Sequence, residues 1–138
     1  MAFSLEALGS NRPAGIQYVG IAGASQWCVD AVVRMLQFHD RITHAKILTC
    51  EQSHALLLVV DEGDLVAVKA GFSSGYAGGG PMAFARALEL LRHHLVEIDE
   101  FHVSRGVINR IDASALTEKD VEAIKASKPV RPMRWYDY

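Results

Sequence analysis

Residues 54–60 read His-Ala-Leu-Leu-Leu-Val-Val, residues 61–64 read Asp-Glu-Gly-Asp, and residues 65–70 read Leu-Val-Ala-Val-Lys-Ala. Two β-rich runs joined by a short turn cluster predict a β-hairpin. The first run is apolar throughout from Ala55 to Val60, so it belongs in the middle of its sheet. The second alternates more weakly and carries Lys69. A hairpin makes the sheet at least partly antiparallel.

Reading outward on the N-terminal side, Ile16–Ile21 is rich in β-formers and predicts a first strand. Ser25 is placed to cap a helix running to about His39. Its apolar positions Val29, Val32, Val33 and Leu36 fall on one helical face. Ala45–Thr49 reads as a second strand. Residues 1–14, broken by Gly9 and Pro13, read as an irregular arm.

On the C-terminal side comes Gly71-Phe-Ser-Ser-Gly-Tyr-Ala-Gly-Gly-Gly80, which holds five of the eleven glycines. Pro81 suits the first position of a helix, where its missing N–H costs nothing. Phe84, Leu88 and Leu91 mark that helix's buried face, and His93 and His94 suit its C-terminus. Ile98–Val103 predicts another strand, and Val107–Ile111 a short additional one. Thr117 and Asp120 form a capping-box pattern that opens a last helix to about Ser127. The order β-α-β-β-β-α-β-(β)-α predicts an α+β domain of two layers, with about four to six strands and three helices. Residues 1–138 read as one such domain, with residues 129–138 as a Pro/Arg/aromatic strap.

Composition sets limits on function. The chain has 138 residues, a formal net charge of −2 and 22% charged residues, an ordinary globular balance. Residues 1–69 carry 5 basic and 7 acidic side chains, and residues 70–138 carry 9 of each. No strongly basic half points to nucleic acid. No apolar run approaches membrane-spanning length, so no membrane partner is expected. Cys28 and Cys50 cannot build a disulfide framework, and Met1–Glu6 lacks a positive start. A reduced cytoplasm is the expected location.

The glycine segment is the first candidate site. Glycines before a helix let another group approach the backbone closely, and the first-turn N–H groups face that space with the positive end of the dipole. The expected ligand-binding residues are Ser73, Ser74, Tyr76, Gly78, Gly79, Gly80, Met82 and Ala83, holding a phosphate- or carboxylate-bearing molecule. A P-loop is excluded because Pro81-Met82 follow Gly80. Gly78-x-Gly80-x-x-Ala83 satisfies a dinucleotide fingerprint, with Asp99 and Glu100 about twenty residues on. The preceding strand ends near Ala70, too early for the tight turn that fingerprint needs. No cofactor is predicted, and nucleotide or CoA is the class to test. The bland alternative is a structural turn whose glycines allow a helix to pack close to the sheet.

His39, His44, Cys50 and His54 carry zinc-ligating chemistry, but their spacing matches no two-plus-two site, and no metal is expected. Glu100 and His102 share a strand face and form the best acid–base pair in the sequence. The bland alternative is a solvated edge-strand face. In the tail, Lys125, Lys128, Arg131 and Arg134 recur every three residues beside Pro129 and Pro132, ahead of Trp135, Tyr136 and Tyr138. That period suits a polyproline II segment, read either as a docking strap or as a cover in which Trp135 fills an apolar gap. Three functions follow. The first is a small binding domain for an anionic ligand. The second is a non-catalytic protein-interaction or dimerisation module. The third is a transferase-like enzyme built on the glycine loop, with Glu100 and His102 as its acid–base groups.

Overall fold

The hairpin read from residues 54–70 lies at the centre of the fold. A computed structural model of the chain describes residues 11–38 and 41–130. β1 (Gln17–Val19) and α1 (Ser25–Gln37) come first, then β2 (Ile42–Cys50), β3 (Ser53–Val60) and β4 (Asp64–Ser73). α2 (Gly79–His93), β5 (Glu97–His102), α3 (Arg105–Asp112) and α4 (Glu118–Ala126) complete it. The five strands form one mixed sheet in the order β1-β4-β3-β2-β5. The β1–β4 and β2–β5 pairs are parallel, and β3 runs antiparallel to both its neighbours. The domain is therefore α+β, as the element order predicted.

β3 has no polar alternation because both of its faces are covered. Leu56 and Leu58 pack under α1 and α2 with Val32, Phe84, Leu88 and Leu91. Ala55 and Leu57 point the other way, into a second core with Phe101, Ile108, Ile111, Leu116, Val121 and Ile124. Each of the larger side chains among these contributes about 1.5–3 kcal/mol when fully buried. The two-layer expectation thus needs a third layer, made by α3 and α4.

The source of that difference is local. Residues 107–111, expected as a short strand, lie inside α3. Ser104 accepts a hydrogen bond from the Val107 N–H at 3.3 Å and starts the helix. Ile108 and Ile111, three apart, then face the sheet. α4 opens on the expected capping box, with Thr117 and Asp120 bonded reciprocally. Arg110 from α3 clamps Asp120 through two bonds of 2.7 and 2.8 Å, tying the two helices together.

Several boundaries differ from expectation. Ser25 is the first residue of α1 and supplies no cap; Ala24 stands at the cap position. β4 runs on through Gly71 to Ser73, because the Ser53 and His54 backbones pair with Ser73 and Phe72. Pro81 is the third helical residue of α2, after Gly79 and Gly80. Leu36 and Val59 are half-buried, whereas Val32, Leu57, Phe84, Leu88 and Phe101 are buried. The Ala14 N–H donates to the Leu116 carbonyl, and Val130 pairs with Glu100 on the outer edge of β5. Residues 1–10 of the arm, His39, and residues 131–138 of the strap, Trp135 among them, lie outside the described residues.

Candidate functional site

The chain directions bring one set of ends together. β1, β4, β2 and β5 all point the same way, so their C-terminal ends, the start of β3 and the starts of α1 and α2 share one end of the domain. Gly79 lies against Ser25 there, which sets the two helix N-termini side by side. In open α/β sheets, ligand sites collect at this end.

The β2–β3 turn builds the site. It is a two-residue turn, Glu51-Gln52, with Glu51 at φ 55°. Cys50 therefore pairs with Ser53, and Thr49 faces His54. The Gln52 carbonyl also accepts from the Ser74 N–H at 3.1 Å, which fixes the residue after β4 beside the turn. His54 shares its face with Leu56 and Leu58, and Glu100 shares its face with Ile98. Polar side chains thus enter the core under α2.

They enter as a continuous chain. Thr49 Oγ1 donates to Glu100 Oε2 at 2.7 Å, and lies 2.9 Å from His54 Nδ1. His54 Nε2 lies 2.7 Å from Ser74 Oγ. All four residues are buried, His54 and Glu100 completely. The direction of the chain follows from proton counting. Thr49 has one hydroxyl proton and gives it to Glu100, so its oxygen accepts from His54 and Nδ1 carries the imidazole proton. Burial lowers the His54 pKa to about 4, so the ring is neutral near pH 7 and Nε2 is bare. Ser74 then donates its hydroxyl proton to Nε2. Phe84 locks the ring from the side, stacked at 4.4 Å between centroids and 5° between planes. Glu100 Oε1 is buried with no hydrogen-bond partner among the described residues.

Ser74 also reaches a surface concavity of about 430 Å³, lined by Ser73, Ser74, Gly75, Tyr76, Ala77, Pro81 and Phe84. Ser73 Oγ and the Tyr76 hydroxyl are 2.8 Å apart on its wall. Ser73, Ser74 and Tyr76 from the expected ligand-binding set therefore line it. Gly78, Gly79, Gly80, Met82 and Ala83 do not. Met82 points to solvent, Ala83 is buried in the core, and the Met82 N–H closes on the Gly78 carbonyl at 3.2 Å. A side chain at Gly80 would collide with Ser73 Oγ, so this glycine makes room for the loop's own hydroxyls.

The Glu100–His102 pair is corrected. Glu100 turns into the core toward Thr49, while His102 is exposed, and no hydrogen bond joins them among the described residues. The bland reading of that strand is corrected as well, since Glu100 is buried and not solvated. His44, Cys50 and His54 do not converge. His44 pairs with Glu97 at 2.9 Å near the opposite end of the sheet, Cys50 faces the second core, and both ring nitrogens of His54 are engaged. Among the described residues no three His, Cys, Asp or Glu side chains cluster as a metal site, and no helix is long and apolar enough to cross a membrane.

No family model and no curated protein matches the chain. Among solved structures, a chain of respiratory complex I from Thermus thermophilus is similar in fold, with a TM-score of 0.68 and 21% identity. The match covers 87% of this chain and 99% of that one. At that identity the likeness establishes a shared fold.

Proposed function

We propose that this protein is an interaction module that serves as a subunit of a multi-subunit respiratory assembly. The observation that carries the proposal is the fold likeness to a chain of respiratory complex I, which the match spans almost completely. A fold that accounts for one whole subunit of a large complex is suited to the same use here; the warrant is analogy of fold. The surface is compatible with it. Ile21, Trp27, Tyr76 and Met82 are exposed apolar side chains on the segments at the N-terminal ends of α1 and α2. Phe38 and Leu95, 76% and 91% exposed, follow the C-terminal ends of the same helices. Trp, Tyr, Phe and Met are the residues that interfaces favour. The anionic-ligand reading carries no part of this proposal, because Gly78, Gly79 and Gly80 at the start of α2 do not line the concavity.

The test is the mass at which the natural protein migrates in gently lysed cells of its source. In native electrophoresis with quantitative mass spectrometry, the chain should co-migrate with subunits of a respiratory complex at fixed stoichiometry. Migration only as a free 15.1 kDa chain or a self-dimer would contradict the proposal.

A further inference from the structure

We infer that Ser74 is a nucleophile toward short, uncharged acyl esters, activated by His54 and served by the concavity at the C-terminal end of the sheet. The inference stands on the buried chain of hydrogen bonds and does not depend on the subunit proposal. Ser74 Oγ directs its proton to the bare Nε2 of His54 over 2.7 Å. Nδ1 of the same ring is held by Thr49, and Thr49 by Glu100. This is a nucleophile, a base and an orienting group in series, with one hydroxyl interposed before the carboxyl group. Thr49 and Glu100 act through His54 and are positioning residues.

The substrate class follows from the walls. Among the described residues no side chain lining the concavity is charged, which disfavours phosphate or carboxylate ligands, and Ala77, Pro81 and Phe84 offer an apolar wall for an acyl chain. Its volume of about 430 Å³ suits a small molecule. The Ser73 and Tyr76 hydroxyls share one hydrogen bond, which leaves one O–H proton of the pair to donate to a carbonyl oxygen.

The step balances within these groups. Ser74 Oγ bonds to the ester carbonyl carbon as its proton passes to His54 Nε2, and the C=O π pair moves onto oxygen. Return of that pair breaks the bond to the alcohol oxygen, which takes the proton from Nε2. Water then attacks the Ser74 ester in the same manner, releasing the carboxylic acid and restoring the Ser74 hydroxyl and neutral His54.

The experiment treats the full chain with a fluorophosphonate bearing a short alkyl group and maps the adduct by mass spectrometry. Hydrolysis of p-nitrophenyl butyrate is followed in parallel. Label is expected on Ser74 in the wild type and is lost in Ser74→Ala. His54→Phe retains a ring against Phe84 and should slow labelling on the order of a hundredfold. Thr49→Val should slow it about tenfold or more, and Thr49→Ser should recover it, a rescue that a purely space-filling Thr49 would not show. A wild type that takes no label on Ser74, or a folded His54→Phe that reacts at the wild-type rate, overturns the inference. If His54→Phe does not fold, the wild-type adduct and the Thr49 pair decide.

Discussion

Thr49 and His54 face one another across a two-residue turn, with the threonine oxygen 2.9 Å from the imidazole Nδ1 in a fully buried setting. Because the threonine proton goes to Glu100, the contact fixes which nitrogen of His54 is protonated. One backbone register thereby sets the tautomer of a core histidine.

The first expected consequence is a loss of stability in acid. The His54 pKa is about 4 in the folded protein against 6.5 ordinarily, so between these values the unfolded chain binds more protons. Stability therefore falls as the pH drops from about 6.5 to 4, by roughly 3 kcal/mol in total, and His54 contributes no slope above that window. Urea unfolding across this pH range measures it. The wild type should lose stability there relative to His54→Phe.

Asp120 should matter in stronger acid. Burial pushes its carboxyl up, but hydrogen bonds from Arg110 and Thr117 outweigh this and hold it below the ordinary value. Its contribution is present above the ordinary aspartate pKa and is lost as the pH falls through the lower folded value. At neutral pH, Asp120→Ala removes the capping box and should cost about 1–2 kcal/mol by chemical denaturation.

Leu88 is fully buried between α2 and the sheet. Leu88→Ala should cost about 2–5 kcal/mol, through lost transfer energy and the cavity left behind. A loss under about 1 kcal/mol would place the side chain outside a packed core.

Gly71 sits where α1 meets β4. A Cβ there would meet Cys28 Sγ at 2.5 Å and the Ala24 carbonyl oxygen at 3.1 Å. Backbone on one side leaves no room to yield, so Gly71→Ala should destabilise by about 1–3 kcal/mol. Gly63, with open space around its Cβ position, lies at φ 109°. Its substitution is therefore costly for conformational reasons alone.

These residues also show how much could be read from the chain beforehand. Ala55–Val60 revealed a central strand because an unbroken apolar run fits only a strand covered on both sides. Thr117 and Asp120 revealed a helix start because capping is local chemistry. The layer made by α3 was missed because residues 107–111 look strand-like by composition, and the informative residue was Ser104, just before them. The polar chain was missed for a different reason. Thr49 and Glu100 are 51 positions apart, and only the pairing of β2 with β5 joins them. One signal was available: His54 and Glu100 are polar residues in register with Leu56, Leu58 and Ile98 on core-facing positions. A polar residue at such a position implies a buried partner. For the glycine segment, composition does not show the strand pairing that extends β4 through Gly71 and Phe72 to Ser73.

The direction of the relay underlies the reactivity of Ser74, and nitrogen-15 NMR of the histidine ring tests it most directly. At pH 7, His54 should show a protonated Nδ1 and a bare Nε2, and the ring should stay neutral as the pH is lowered to about 5. A ring protonated at Nε2 at pH 7, or one that titrates near 6.5, would contradict the relay as drawn.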